Sequence, residues 1–359
     1  MIDSINLENV LEIYEKEISK NIKNKKKLFR FEANKMQNIN NIITMLNNGN
    51  IGHEKYNIFL IYEPKCRLVM SLSVRDKIIN HFITRHILEN KLTKYLDSRN
   101  IATRKNMGTD YGIKLVKKYL SSLKKSSDKF YILKIDISKY FYSVDHKVLL
   151  EELRNKLNDF EYGLLEKVIA TTNSKYVSEE ILKIINKYNV QIPIYYYGKG
   201  LPIGNMTSQF LSIFYLYRLD HFIVHDLKLK HYVRYMDDFI IMDKDLEKLK
   251  KAKKIIVEKL ENEYKLKVNT KKTFITNNKN GFSFLGYVFK VDNNKIIVRI
   301  KRENFEKIKR KLKRINSQFN NNHLDHYKAF CKIMTYSNSY KYGNNIKILK
   351  LIDKYFYEK

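Results

Sequence analysis

From Tyr56 to Ser73 apolar and polar positions alternate in two runs, broken at Pro64, a pattern that predicts paired strands. The run "FYILKIDIS" (130–138) is almost continuously apolar before it reaches an acid, as a buried strand would be. "HYVRY" and "FIIMD" stand on either side of "MDD", which predicts a hairpin with acids at its turn. "FSFLGYVFKV" and "KIIVRI" flank "DNN" at 292–294, a second hairpin. Apolar residues at three- and four-residue spacing predict helices over 1–50, 74–96, 146–190 and 244–264, and from 302 to the end. Another helix opens after Gly108 and Thr109. Residues 198–227 read as a glycine-punctuated loop feeding one long amphipathic helix. No internal repeat and no low-complexity tail interrupts this order.

Composition narrows the classes. At 359 residues the chain can form one large domain or two to three subdomains, and three prolines with eleven glycines leave little material for linkers. No run of about 18 apolar residues exists, so no membrane span is expected. The opening "MIDSINLENVLEIYEKEISK" carries early acids and no apolar core, so no secretory signal is read there. Cys66 and Cys331, far apart, suggest neither a disulfide framework nor a zinc site; a reduced, cytoplasmic setting follows as the expectation. The formal net charge is +31, from 69 basic and 38 acidic residues. Part of that excess reflects a Lys-, Asn-, Ile- and Tyr-rich composition, yet such a chain repels itself unless an anion compensates. Nucleic acid is the natural partner. The 27 tyrosines and 19 phenylalanines add stacking surfaces, although most belong to a core. His81, His86, His221, His225 and His231 fall on helical or strand runs without a metal-ligand pattern and read as structural.

Two predicted strand ends carry the chemistry. One delivers Asp136, the other Asp237 and Asp238. Alone, an aspartate in such a place is a turn former, as Asp145, Asp220 and Asp243 are read. Clustered carboxylates suit Mg²⁺, which binds through one or two of them plus substrate phosphates. Two such ions about 4 Å apart activate a 3′-hydroxyl and stabilise departing pyrophosphate. In a basic chain this points to phosphoryl transfer on nucleic acid.

The chain resembles the prokaryotic reverse transcriptases, and most closely the branch that holds diversity-generating retroelement enzymes and defence-associated reverse transcriptases. The resemblance runs from about residue 56 to 290, and more faintly to about 345, as motifs in family order. "EPKCRLVMSLSVRDKIINHFI" and "ATRKNMGT" resemble the fingers, and "LKIDISKYFYSVDH" the first palm carboxylate motif. "GLPIGNMTSQF" resembles the template- and nucleotide-positioning loop, and "YVRYMDD" the catalytic hairpin. "LKVNTKKT" resembles the lysine motif, "FSFLGYVF" the primer grip and "SNSYKYGNN" a thumb signature. "YMDD" alone would be weak; the ordered set is specific.

The resemblance implies an α+β right-hand polymerase: an N-terminal helical extension at 1–55, the first part of the fingers at 56–129, a palm with inserted fingers helices at 130–290, and a thumb at 291–359. It implies that Asp136, Asp237 and Asp238 are catalytic metal ligands, with the Ile137 carbonyl near the nucleotide metal. Phe141 falls where the family's steric gate excludes a ribose 2′-hydroxyl. Arg67 sits where fingers bases grip the triphosphate, with Lys65 the poorer candidate. Lys272 resembles the lysine that protonates pyrophosphate, with Lys271 its rival. Gly204 and Gln209 line the nucleotide side of the loop, and Leu285 and Gly286 the primer grip. One departure is clear: where many members carry Gln-Gly and Ser-Pro, this chain has Ile203-Gly204 and Ser208-Gln209. That form draws the match toward the retroelement and defence branch and leaves nucleotide choice open.

The implied activity is RNA-directed DNA synthesis, a nucleotidyltransferase reaction joining dNTPs on two Mg²⁺ ions, with Mn²⁺ a substitute. Its partners would be an RNA template or associated non-coding RNA, the DNA product and, in an antiphage setting, a neighbouring protein. Antiphage defence is favoured slightly over cDNA synthesis in a diversity-generating element, and template-independent or protein-primed synthesis is a further alternative. No endonuclease module with His or Cys clusters is seen, so autonomous DNA insertion is not expected. An RNA-directed RNA polymerase is disfavoured by Phe141, and a non-catalytic RNA-binding scaffold by the three acids.

Overall fold

The computed structural model describes residues 4–62, 65–293, 295–337, 339–343 and 345–356. Its chain divides into two units, one of Met1–Thr103, Ile137–Lys228 and Lys254–Asn269, the other of Arg104–Asp136, Leu229–Lys253 and Thr270–Lys359.

In the first unit, the alternation after Tyr56 forms an antiparallel hairpin of β1 (Asn57–Ile61) and β2 (Arg67–Ser71), paired from Asn57↔Ser71 to Ile61↔Arg67. Pro64, the expected break, lies outside the described residues. Strand period puts Leu68 and Met70 on one face, where they pack with Tyr56, Val177, Ile181 and Tyr195. The N-terminal helices Leu7–Ile13 and Lys35–Asn47 bury Val10, Ile39, Ile42 and Leu46. Helix Val74–Phe82 starts on Ser73, whose side chain accepts from the Asp76 N–H.

Two stretches differ from their single-helix expectations. The 74–96 stretch turns π-helical over Ile83–Glu89 and ends in a 3₁₀ turn at Thr93–Tyr95. The 206–227 stretch is α-helical over Met206–Phe214, breaks at Tyr215 and Leu216, resumes at Tyr217–His221 and closes as a π-turn, Phe222–Asp226. Its first segment is amphipathic: Phe210, Leu211, Ile213 and Phe214 share one buried side, and Gln209 on the other is exposed.

The second unit holds a four-stranded antiparallel sheet in the order β4-β5-β3-β6, with β3 Tyr131–Asp136, β4 His231–Tyr235, β5 Asp238–Asp243 and β6 Phe274–Asn277. The apolar run of β3 makes it a central strand: Ile132, Leu133 and Ile135 are all at 0 % exposure. Each such side chain stabilises by roughly 1.5–3 kcal/mol. A three-stranded meander follows, with β7 Phe282–Phe284, β8 Tyr287–Asp292 and β9 Lys295–Ile300. The sequence "FSFLGYVFKV" is therefore two strands rather than one. Leu285 and Gly286, with φ of 49° and 85°, fold it back on itself.

The basic C-terminal stretch is helical, as expected, over Arg302–Asn320, His326–Ser337 and Ile346–Phe356, which share a stripe of Ile308, Leu312, Ile333, Ile348 and Ile352. Asn338 and Asn344 of "SNSYKYGNN" lie outside the described residues. Mixed helices and antiparallel sheets place the fold in the α+β class. Among the described residues no helix is long and apolar enough to cross a membrane.

Candidate functional site

In the second unit, strand register builds the acidic site. β3 pairs with β5 so that Asp136 stands opposite Asp238. β5 pairs with β4 through Tyr235↔Asp238, leaving Met236 and Asp237 as a two-residue turn. Like charges directly opposite on a sheet are destabilising. Two lysines offset that repulsion. Lys272 donates to both Asp136 oxygens at 3.0 and 2.9 Å, and Asp136 is further fixed by its N–H on Thr273 Oγ1 at 3.3 Å. Lys134 is buried and donates to Asp238 Oδ2 at 2.9 Å and to the Ser283 carbonyl at 2.7 Å. It lies 2.9 Å from Asp238 Oδ1 as well, but without hydrogen-bond geometry, so that oxygen is buried with no donor.

Burial pushes the Asp238 carboxyl up to about 6, with Asp237 and Asp136 adding to the rise and Lys134 opposing it. The side chain as a whole keeps 26 % of its surface exposed. An all-oxygen donor set with an under-satisfied buried oxygen fits a hard divalent cation, which Asp136, Asp237 and Asp238 would hold.

The turn that presents Asp237 is itself unusual. Met236 has φ of 57°, the left-handed region a side chain enters at a cost of about 1–3 kcal/mol. Arg234, at 0 % exposure, donates to the Met236 carbonyl at 3.1 Å and lies over the Phe239 ring. Sequence reasoning missed both Lys134 and Arg234. The available signal was a basic residue inside each strand-like run: Lys134 shares the face of Asp136 two residues on, and Arg234 shares that of Phe239 across the pair.

The other predicted residues of this unit, Leu285 and Gly286, form the tight turn between β7 and β8. The Gly286 carbonyl accepts from the Lys301 N–H at 3.0 Å and from Asn304 at 3.1 Å.

The remaining candidates belong to the first unit. Ile137, 1 % exposed, bridges to Val268, and the Ser138 N–H donates to the Lys267 carbonyl at 2.8 Å. Lys139 then turns left-handed, at φ 50°, and the short helix Tyr140–Ser143 carries Phe141. The Phe141 carbonyl accepts from the Leu201 N–H at 2.7 Å. Gly204, at φ 126°, makes a close backbone approach to β2. A Cβ there would stand 2.5 Å from the Met70 carbonyl, and the Met70 N–H donates to Ile203 at 2.8 Å. Gln209, Arg67 and Lys65 are exposed. His146, which sequence reasoning did not single out, holds Gly200 through its ring at 2.7 Å; burial lowers its pKa.

A family model for reverse transcriptase (RNA-dependent DNA polymerase) matches residues 53–289. Among solved structures, telomerase from Candida albicans in complex with a fragment of telomeric RNA aligns at 15 % identity and a TM-score of 0.47, over 74 % of this chain and 49 % of that one. Apo telomerase from Candida tropicalis, truncated from its C-terminal domain, aligns at 17 % identity and a TM-score of 0.46, over 67 % and 54 %. The chain thus spans about half the length of these structures. No curated protein matches it. The family match covers well over half of the sequence and includes the strands that carry all three acids: the chain belongs to the reverse transcriptase family.

Proposed function

We propose that this protein is an RNA-directed DNA polymerase that joins dNTPs at Asp136, Asp237 and Asp238. The observation that carries the reading is the register of β3 and β5, which sets Asp136 opposite Asp238 beside the turn bearing Asp237. Reverse transcriptase domains generally use divalent metal ions. Mg²⁺ is the ion proposed here, with Mn²⁺ a substitute, and when bound it would activate the primer hydroxyl and stabilise pyrophosphate.

The chain's own residues do the rest. Lys134 keeps Asp238 oriented, Lys272 offers a proton to the leaving group, and Arg67 meets the triphosphate. Phe141 fills the space of a 2′-hydroxyl and so selects deoxynucleotides. Ile137, Gly204 and Gln209 line the nucleotide side, and Leu285 with Gly286 the primer side. In this reading residues 56–129 begin the fingers, 130–290 form the palm and 291–359 the thumb, after an N-terminal extension.

Template and partners are RNA, dNTPs and a DNA product, in an antiphage system with a partner RNA or protein. The Ile203-Gly204 and Ser208-Gln209 form of the loop supports the branch that holds both defence and diversity-generating enzymes; cDNA synthesis in a diversity-generating element is the second reading.

Purified protein given a primed RNA template, Mg²⁺ and labelled dNTPs is expected to extend the primer and to reject rNTPs. Phe141→Ala is expected to admit rNTPs; unchanged sugar selection in that variant would refute the gate. Equal use of rNTPs by the unaltered protein would remove the DNA assignment.

A further inference from the structure

We infer that Asp97, His221 and His225 form a second metal site, for a Zn²⁺-class ion, that plays no part in polymer chemistry. One ligand atom from each of the three lies within 4.8 Å of the others. Tetrahedral ligands on a common zinc ion at about 2.0–2.2 Å stand about 3.3–3.6 Å apart, so side-chain rotations that draw the three atoms together complete the site. His221 ends the helical turn Tyr217–His221 and His225 sits in the π-turn Phe222–Asp226, which brings their rings to 5.7 Å, nearly parallel at 16°. The spacing of four residues places both on one helix face.

The surroundings are those of a prepared ligand set. His221 Nε2 lies 2.8 Å from the Tyr95 carbonyl. Donation there fixes the tautomer and presents Nδ1 as the ligand, the supporting contact that metal-bound imidazoles commonly make. Tyr95 closes the 3₁₀ turn two residues before Asp97, so a single turn supplies the ligand carboxylate and the carbonyl that orients His221. Asp97 is 9 % exposed and is held in place by Arg99, through its N–H at 2.7 Å and its guanidinium at 3.0 and 3.2 Å. An ion would share that carboxylate with a guanidinium, which moderates its affinity. His225 is exposed and gives solvent a route to an open coordination position. Two imidazoles and one carboxylate favour Zn²⁺ over Mg²⁺, which prefers oxygen alone. The bound ion would tie the 93–97 turn to the 217–226 segment inside the first unit.

The test uses the full chain, freed of metal by chelation and titrated with Co²⁺ as a spectroscopic probe and then with Zn²⁺. With excess Mg²⁺ present to occupy the acidic site, one Co²⁺ per chain is expected, with a visible d–d band that Zn²⁺ displaces, and Zn²⁺ is expected to raise Tm. His225→Ala should weaken Co²⁺ binding by at least about tenfold and abolish the Tm rise. His225→Gln, closer in size, should do the same with an unchanged circular dichroism spectrum. Asp237→Asn should leave the Co²⁺ band as it is. Absence of stoichiometric binding, or equal binding by the His225 variants, would overturn the site and leave Asp97–Arg99 and His221–Tyr95 as structural contacts only.

Discussion

The acidic site of the second unit and the glycine-bearing loop of the first are held in place by opposite means. Around Asp136 and Asp238, charged side chains do the holding: Lys272 on one acid, Lys134 on the other, Arg234 behind the turn. Around Gly198–Gly204 uncharged groups do it, the main chain together with the His146, Asn173 and Tyr195 side chains. Gly200 N–H donates to Val144 at 2.7 Å, Leu201 N–H to Phe141 at 2.7 Å, and the Gly198 carbonyl accepts from the His146 N–H at 2.9 Å. A site built from charges fails when one charge is removed, because its partner is left buried and unpaired. A shelf built from neutral groups strands no charge when one side chain is changed, and it fails most where a Cβ cannot fit.

The largest expected effect lies on the charged side of that contrast. Asp136→Asn or Asp237→Asn should lower DNA synthesis by about 10³-fold or more, since a lost metal ligand forfeits several kcal/mol of transition-state stabilisation. Primer-extension rates on folded protein check this. Lys134→Met comes next, with an expected stability loss of about 3 kcal/mol in urea unfolding, because Asp238 loses its buried partner. The double variant Lys134→Met with Asp238→Asn should recover most of that loss; a purely additive pair would show that the two do not interact.

On the backbone side, Gly204→Ala forces a Cβ against the Met70 carbonyl at positive φ and should cost about 2 kcal/mol. Gly52→Ala meets nothing within 4 Å and should be near neutral, so equal effects would erase the distinction.

The smallest effect is that of pH on the loop. Burial holds His146 below its ordinary value of 6.5. Its neutral ring therefore contributes stability that is present above pH 6.5 and is lost as pH falls toward the lowered value. His146→Gln should flatten the stability difference between pH 7.5 and pH 5 slightly; a steeper acid loss in that variant would reverse the assignment.

Strand runs and turns were legible because period-two burial and the "YMDD" punctuation follow directly from side-chain chemistry; Asn294 of "DNN" lies outside the described residues. Asp136, Asp237 and Asp238 were legible for the same reason: acids at the ends of apolar strands demand an explanation. Lys134 and Arg234 were not, because a lone basic residue in a strand ordinarily reads as its solvent face, and only the register shows it turned inward. The break at Tyr215 and Leu216 was hidden by uninterrupted apolar residues, which suit a continuous helix equally well. His221 and His225 read as structural because two histidines on one helical run show no ligand pattern by themselves; Asp97 is far away along the chain and only the fold brings it close.

The most direct test is DNA synthesis by the purified chain alongside its Asp237→Asn/Asp238→Asn double variant, on the same primed RNA and over a titration of Mg²⁺. The account expects Mg²⁺-dependent extension by the unaltered protein and none by the variant at any concentration. Extension that survives the double substitution, or that needs no divalent ion, would contradict it.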